Sequence, residues 1–221
     1  MVLFLFEVNM DFEKFQLDEN WSVDYANQLK SLYGKVWNDS LYEQFEVKVE
    51  KNDIVVDCGA GIGVFSNYAA SKGAKKVLAF EASQKHFDCL KKNTEKTKGV
   101  TSVFGLVNHR AVAVNGESIS EEQYDLERIY KDFKLKKIDF LRTDLEACEF
   151  GLLLNCSDED ITKINKLAVE IHICGILKDK VLEYHFFVKI IERLNKLGFL
   201  TFIVQNVENS GLFTLFAKKN K

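Results

Sequence analysis

The 221-residue chain contains no proline, and its Lys, Asn, Ile and Phe are abundant. That gap reflects a compositional bias of the source genome and says little about function. CxxC pairs are also missing. The five cysteines, Cys58, Cys89, Cys148, Cys156 and Cys174, are odd in number and have no histidine at zinc-finger spacing. Buried free thiols in a reducing, cytoplasmic setting are therefore expected. No excess of positive charge is present: 30 Lys and Arg stand against 33 Asp and Glu. Non-specific binding to phosphate backbones is thereby disfavoured. The opening run from Met1 to Phe6 is apolar but far shorter than a membrane span, and it lacks a basic flank and a small-residue cleavage site. Neither a targeting signal nor a membrane partner is expected, and Met10 offers an alternative start. Repeats and low-complexity segments are absent as well. What remains is an ordinary globular composition, 47% hydrophobic and 29% charged, at a length that suits one α/β domain with a small appendage.

The apolar periodicity assigns residues 1–46 to an N-terminal helical appendage and 47–221 to a main domain. In the appendage, Tyr25, Leu29, Leu32, Tyr33, Val36 and Trp37 recur at helical spacing after a capping Ser22. A short helical piece over 41–45 and a small strand over 47–49 follow. The main domain then alternates. Strands are predicted at 54–57, 76–81, 100–107, 138–143 and 167–172, with helices at 64–71, from Ser83 to about 93, at 121–133, 150–154 and 181–197. Strands over 200–204 and 212–217 are close enough to form an antiparallel hairpin. The predicted fold is α/β: a mostly parallel seven-stranded sheet with a C-terminal antiparallel hairpin and helices on both faces.

The most informative stretch joins the first strand to its helix and reads Asp57-Cys58-Gly59-Ala60-Gly61-Ile62-Gly63. Three alternate glycines permit a tight turn and close approach of a ligand to the backbone. A dinucleotide fingerprint needs glycine at the first, third and sixth positions, but the sixth here is Val64. An NAD-dependent oxidoreductase is therefore disfavoured. The spacing resembles the S-adenosylmethionine motif D-x-G-x-G-x-G. Asp57 would serve the amino end of the methionine moiety through the turn or a water, or else cap the next helix. Glu81, closing the second strand, stands where an acidic group meets ribose hydroxyls. Candidate cofactor contacts are thus Asp57, Gly59, Ala60, Gly61, Gly63, Glu81, Ala82 and, after the third strand, Asn108.

Together with Ala79-Phe80-Glu81-Ala82-Ser83, Leu90-Lys91-Lys92-Asn93, the run from Ile138 to Glu149 and Val169-Glu170-Ile171-His172, these residues resemble the FkbM-type S-adenosylmethionine-dependent methyltransferases. The resemblance spans roughly 47–199 and implies a Rossmann-like class I methyltransferase fold with S-adenosyl-L-methionine as cofactor. Three departures stand out: Arg142 replaces the family's usual Lys, Ala147 its usual Gly, and Ala82-Ser83 its usual Glu-Pro.

Acceptors in open α/β sheets lie at the carboxyl ends of the strands. Asp144, Glu146, Glu170 and His172 are therefore the candidate catalytic rim, with Asp144 and Glu146 projecting to one side if the backbone there is extended. Glu149 reads as a solvated helical charge, and His86, His109 and His185 as structural or surface residues. Oxygen donors at Asp144, Glu146 and Glu170 would suit magnesium, but no metal is expected. The acceptor is expected to be a small-molecule or glycan hydroxyl, its pocket built by the N-terminal helix, the loop after the fourth strand and residues 174–180. The N-P-P-Y-type tetrapeptide of many amino-methylating enzymes is absent. Arg142 and Ala147 leave open a second reading, an accessory or binding protein that keeps the fold with weakened catalysis.

Overall fold

Parallel strands buried on both faces need near-continuous apolar sequence, and the central strands of this chain have it. In chain order the computed structural model contains α1 (Val23–Trp37), β1 (Ile54–Cys58), α2 (Val64–Ser71), β2 (Lys76–Glu81), α3 (Gln84–Thr94), β3 (Val100–Phe104) and the short β4 (Leu106–Val107) and β5 (Gln123–Tyr124). There follow α4 (Leu126–Asp132), β6 (Ile138–Thr143), α5 (Glu149–Asn155), α6 (Asp158–Thr162), β7 (Ile164–His172), α7 (Lys180–Lys196), β8 (Phe199–Gln205) and β9 (Leu212–Lys219). The structure describes residues 12–107, 120–146, 148–173, 180–205 and 211–220. No helix among them is long and apolar enough to cross a membrane.

Seven strands form one sheet in the order β3-β2-β1-β6-β7-β9-β8. The pairings from β3 to β7 are parallel, and β9 runs antiparallel between β7 and β8. This is the expected sheet with its C-terminal hairpin. Strand order reverses between β1 and β6, which opens a crevice at their carboxyl ends. There the backbone N–H of Asp144 donates to the Cys58 carbonyl at 3.0 Å.

Both faces of the sheet are covered. On one, Leu126, Ile129, Phe150, Leu152, Phe187 and Leu194 pack with β6 and β7. On the other, Phe15, Leu29, Val36, Tyr42, Val47 and Val49 share a cluster with Val55, Phe65, Phe140 and Phe216. Ser22 caps α1 by accepting the Tyr25 N–H at 3.1 Å.

Several local expectations are corrected. Residues 41–45 form turns instead of a helix, and 47–49 is extended but joined to Gln44 by a single bridge. The reason is topological: both edges of β1 are already paired, and the Val49 N–H goes to the Glu43 carboxylate at 2.7 Å. The strand expected over 100–107 breaks at Gly105, whose N–H donates to the Glu81 carbonyl at 3.0 Å. The helix expected from 121 begins at Leu126, because Asp125 accepts the Arg128 N–H at 2.7 Å and the preceding residues pair with β4.

Because Leu29 belongs to the cluster beneath the sheet, Leu29→Ala should lower the unfolding free energy by about 2–5 kcal/mol in one cooperative transition. Urea denaturation measures this. A change below about 0.5 kcal/mol would show that α1 only rests on the surface.

Candidate active site

The turn after β1 is held from below by one side chain. Arg142 lies in β6, all six of whose residues are buried, and it occupies the register position beside Asp57. Its Nη1 donates to Asp57 Oδ1 at 3.1 Å and to the Gly59 carbonyl at 2.7 Å. Its Nη2 donates to the Tyr42 hydroxyl and to Asp144 Oδ2, both at 2.7 Å. Tyr42 in turn donates to Glu170 Oε2 at 3.3 Å and offers its ring to the guanidinium at 4.4 Å. Ser66 donates to the other oxygen of Asp57 at 2.6 Å. Burial pushes the Asp57 carboxyl up, opposed by Arg142 and Ser66. Asp57 therefore sits inside the protein as a brace for the turn. It does not cap α2, whose N-cap residue is Gly63.

The first two glycines of the motif have different tasks. Gly59, at φ +80°, lies so close to the segment after β6 that a Cβ would stand 1.9 Å from the Asp144 carbonyl oxygen. Gly61, at φ +55°, faces open space, and a Cβ there meets nothing within 4 Å. Its N–H donates to Glu81 Oε2 at 2.8 Å, while the Ser83 N–H donates to Oε1 at 2.8 Å. Burial raises the Glu81 carboxyl to about 7, against the opposing N–H bonds of Ser83, Gly61 and Ala82. Ala60 is buried with its N–H on the Phe80 carbonyl, and Ala82 links Glu81 to the cap of α3. Asn108 and Ala147 lie outside the described residues, as do residues 174–179 of the expected acceptor pocket.

Asp144, Glu146, Glu170 and His172 do converge. The His172 Nε2 lies 3.7 Å from Asp144 Oδ1 and 3.8 Å from Glu146 Oε2. The extended backbone expected after β6 is absent, since Glu146 adopts φ +51°. The segment instead turns at Glu146, whose Oε2 lies 3.8 Å from the His172 Nε2. Glu149, expected to be solvated, is fully buried and accepts the His172 backbone N–H at 2.8 Å, with Nδ1 at 3.3 Å from the same oxygen. Burial favours the neutral His172 ring, but the Glu149 contact and the Asp144 and Glu146 charges outweigh it and raise the group to about 9. Burial and the neighbouring Asp144 raise Glu170 to about 8.

In the sequence Arg142 stands out only as a departure from the FkbM pattern, Glu149 reads as a solvated charge, and nothing marks Tyr42 as part of a site. A signal for Arg142 was present: a cation within a central parallel strand requires a buried anion, and Asp57 stands in the neighbouring strand. Tyr42 lies 100 positions from Arg142, and no local pattern links them. A separate cavity of about 860 Å³ lies at the amino ends of the strands, where Lys166 is neutralised by Glu50 and Asp53. It is remote from the glycine turn.

A family model described as conserved hypothetical protein 95 matches residues 35–147, just over half of the chain. Among curated relatives, AMB antimetabolite synthetase AmbE of Pseudomonas aeruginosa is 22% identical over 66% of this chain but only 10% of its own length. Methyltransferase sdnD of Sordaria araneosa is 23% identical over 63% of this chain and 73% of its own. Among solved structures, methyltransferase FkbM from Methylobacillus flagellatus KT is similar at a TM-score of 0.56 and 15% identity, covering 84% of this chain and 47% of that one. Fibrillarin from Aeropyrum pernix, in complex with natively bound S-adenosyl-L-methionine, is similar at 0.54 and 11% identity, covering 83% and 74%. These likenesses establish a Rossmann-like methyltransferase fold.

Removing Arg142 strands a buried carboxylate. Arg142→Ala should cost about 3–5 kcal/mol at pH 8. The loss should shrink at pH 5, because Asp57, already raised by burial, then takes up a proton. Urea denaturation at the two pH values checks the sign: an equal loss at both would show that Asp57 is not the group left unpaired.

Proposed function

The chain belongs to the family described as conserved hypothetical protein 95, and from that premise we propose an S-adenosylmethionine-dependent methyltransferase of FkbM type, acting in the cytoplasm on a small-molecule or sugar hydroxyl. The observation that carries this reading is the open face of Gly61 beside the Glu81 carboxylate. A nucleoside laid over that glycine places its ribose hydroxyls against Glu81, at the strand-order reversal where such ligands bind. Methyltransferase sdnD and the FkbM structure support methyl transfer, and the fibrillarin complex supports the cofactor. Asp144-Leu145-Glu146 occupies the position of the amino-methylating tetrapeptide, which favours oxygen as the acceptor atom.

Methyl transfer is an in-line displacement, so the protein's task is alignment and exclusion of water. Arg142 fixes the turn that carries the donor and, through Asp144 and Tyr42–Glu170, the rim that faces the acceptor. The proton leaving the hydroxyl passes to the rim formed by Asp144, Glu146, Glu170 and His172. At neutral pH Glu170 and His172 already hold protons, given values of about 8 and about 9. Turnover should therefore rise as pH climbs from 7 to 9.

Calorimetry with S-adenosylmethionine tests the donor. Ribose hydroxyls donate to an ionised carboxylate, so affinity should tighten about tenfold between pH 6 and pH 8 as Glu81 ionises. Glu81→Gln should bind weakly and independently of pH, and Gly61→Val should remain folded but not bind. No binding by the native chain would overturn the enzyme reading. Asp144→Asn should slow turnover more than it weakens the donor; an unchanged rate would remove Asp144 from the rim.

A further inference from the structure

Asp144 follows β6, and Glu170 and His172 project from one face of neighbouring β7. Each offers one donor atom, and the three atoms all lie within 4.8 Å of one another. The His172 Nε2 and Asp144 Oδ1 are already 3.7 Å apart. Donors at about 2.0–2.2 Å from a tetrahedral ion stand about 3.4 Å from each other, so small side-chain movements would let the trio share one.

Two features separate this trio from an ordinary acidic rim. Glu149, fully buried, takes both the backbone N–H and the Nδ1 of His172 on one oxygen. That anchors Nδ1 to the protein and turns Nε2 towards the carboxylates, the carboxylate–histidine arrangement that orients metal ligands. The other oxygen of Glu149 is buried without a hydrogen-bond partner. The charge balance points the same way. Among the described residues, the ion pairs of Asp57, Asp144 and Glu149, whose side chains are 0%, 22% and 0% exposed, run to Arg142 and His172 alone. Buried carboxylates in excess of their cations are stabilised by coordinating a further one.

We propose that Asp144, Glu170 and His172 bind one divalent first-row transition ion, with Glu149 as the positioning residue for His172. One imidazole nitrogen with two carboxylate oxygens suits manganese, iron or zinc better than the all-oxygen shells of magnesium and calcium. The trio differs from the oxygen-only set Asp144, Glu146 and Glu170 in that folding brings in the imidazole of His172. Three protein ligands leave coordination positions open.

The ion's role, though not its binding, rests on the methyl-transfer reading. The acceptor hydroxyl occupies an open position, where the ion lowers its pKa. Its oxygen forms the new C–O bond to the methyl group, the C–S bond breaks with its electron pair passing to sulfur, and S-adenosylhomocysteine leaves. The hydroxyl proton passes to Glu146, which is 71% exposed beside the His172 ring.

Manganese titration of the metal-stripped full chain, read by the EPR signal of free Mn²⁺ without any cofactor present, tests the site. One ion per chain is expected. Affinity should fall by at least about tenfold in Glu170→Gln and His172→Asn, and by about 10–100-fold in Glu149→Gln. Thermal unfolding confirms that each variant is folded, and if Glu149→Gln is not, the other two carry the test. Absence of binding at millimolar Mn²⁺ and Zn²⁺, or undiminished affinity in both His172→Asn and Glu170→Gln, would overturn the proposal. Calorimetry with S-adenosylmethionine on the same sample keeps the two claims apart. Cofactor binding without manganese binding refutes the ion site alone; manganese binding without cofactor binding refutes the methyltransferase reading and upholds the ion site.

Discussion

The Arg142 guanidinium holds together parts of the chain that share no sequence neighbourhood. It bonds to Asp57 in β1, to the carbonyl of Gly59 in the turn, to Tyr42 before the sheet and to Asp144 beyond β6. In a region this buried, a lone cation or a lone carboxylate is costly, and together they are tolerated only in this geometry. The glycine turn after β1 and the rim that begins at Asp144 are therefore fixed relative to each other by one group. Gly59 tightens the same junction from the backbone side, because no side chain fits between it and the Asp144 carbonyl. A guanidinium can serve four partners at once, whereas a lysine ammonium has three donors and no fork. Arg142 thus reaches all four partners through Nη1 and Nη2, while its buried Nε has no hydrogen-bond partner.

Much of the architecture was legible because it follows from periodicity and punctuation. The apolar runs at 54–57, 76–81 and 138–143 are strands, and Gly73 and Gly198 take positive φ just beyond α2 and α7. Errors fell where tertiary contacts override local pattern. Residues 47–49 alternate like a strand, but β1, the strand that follows them, is already paired on both edges. Residues 121–125 continue a helical pattern, yet Asp125 caps a helix that starts later. In the site, Glu81 and the glycines could be placed from spacing alone. The inward turn of Glu149 could not, because its partner His172 lies 23 positions away on another element.

The two halves of the site differ in how much of their chemistry is built in advance. On the donor side, backbone N–H groups already hold Glu81, and Gly61 keeps the adjoining space clear. On the acceptor side, carboxylates outnumber cations, and the histidine among them is held by a buried carboxylate that orients it. The first half is complementary to a nucleoside and the second to a cation or a proton-donating hydroxyl. The proposed methyl transfer from a sulfonium to oxygen requires both within reach of one another, and both border the crevice between β1 and β6.

A crystal structure of the chain with S-adenosylhomocysteine tests this arrangement most directly. The account predicts the ribose hydroxyls on Glu81, the ligand backbone over Gly61, and its sulfur facing Asp144 and His172. A ligand bound elsewhere, or one whose ribose does not meet Glu81, would contradict it.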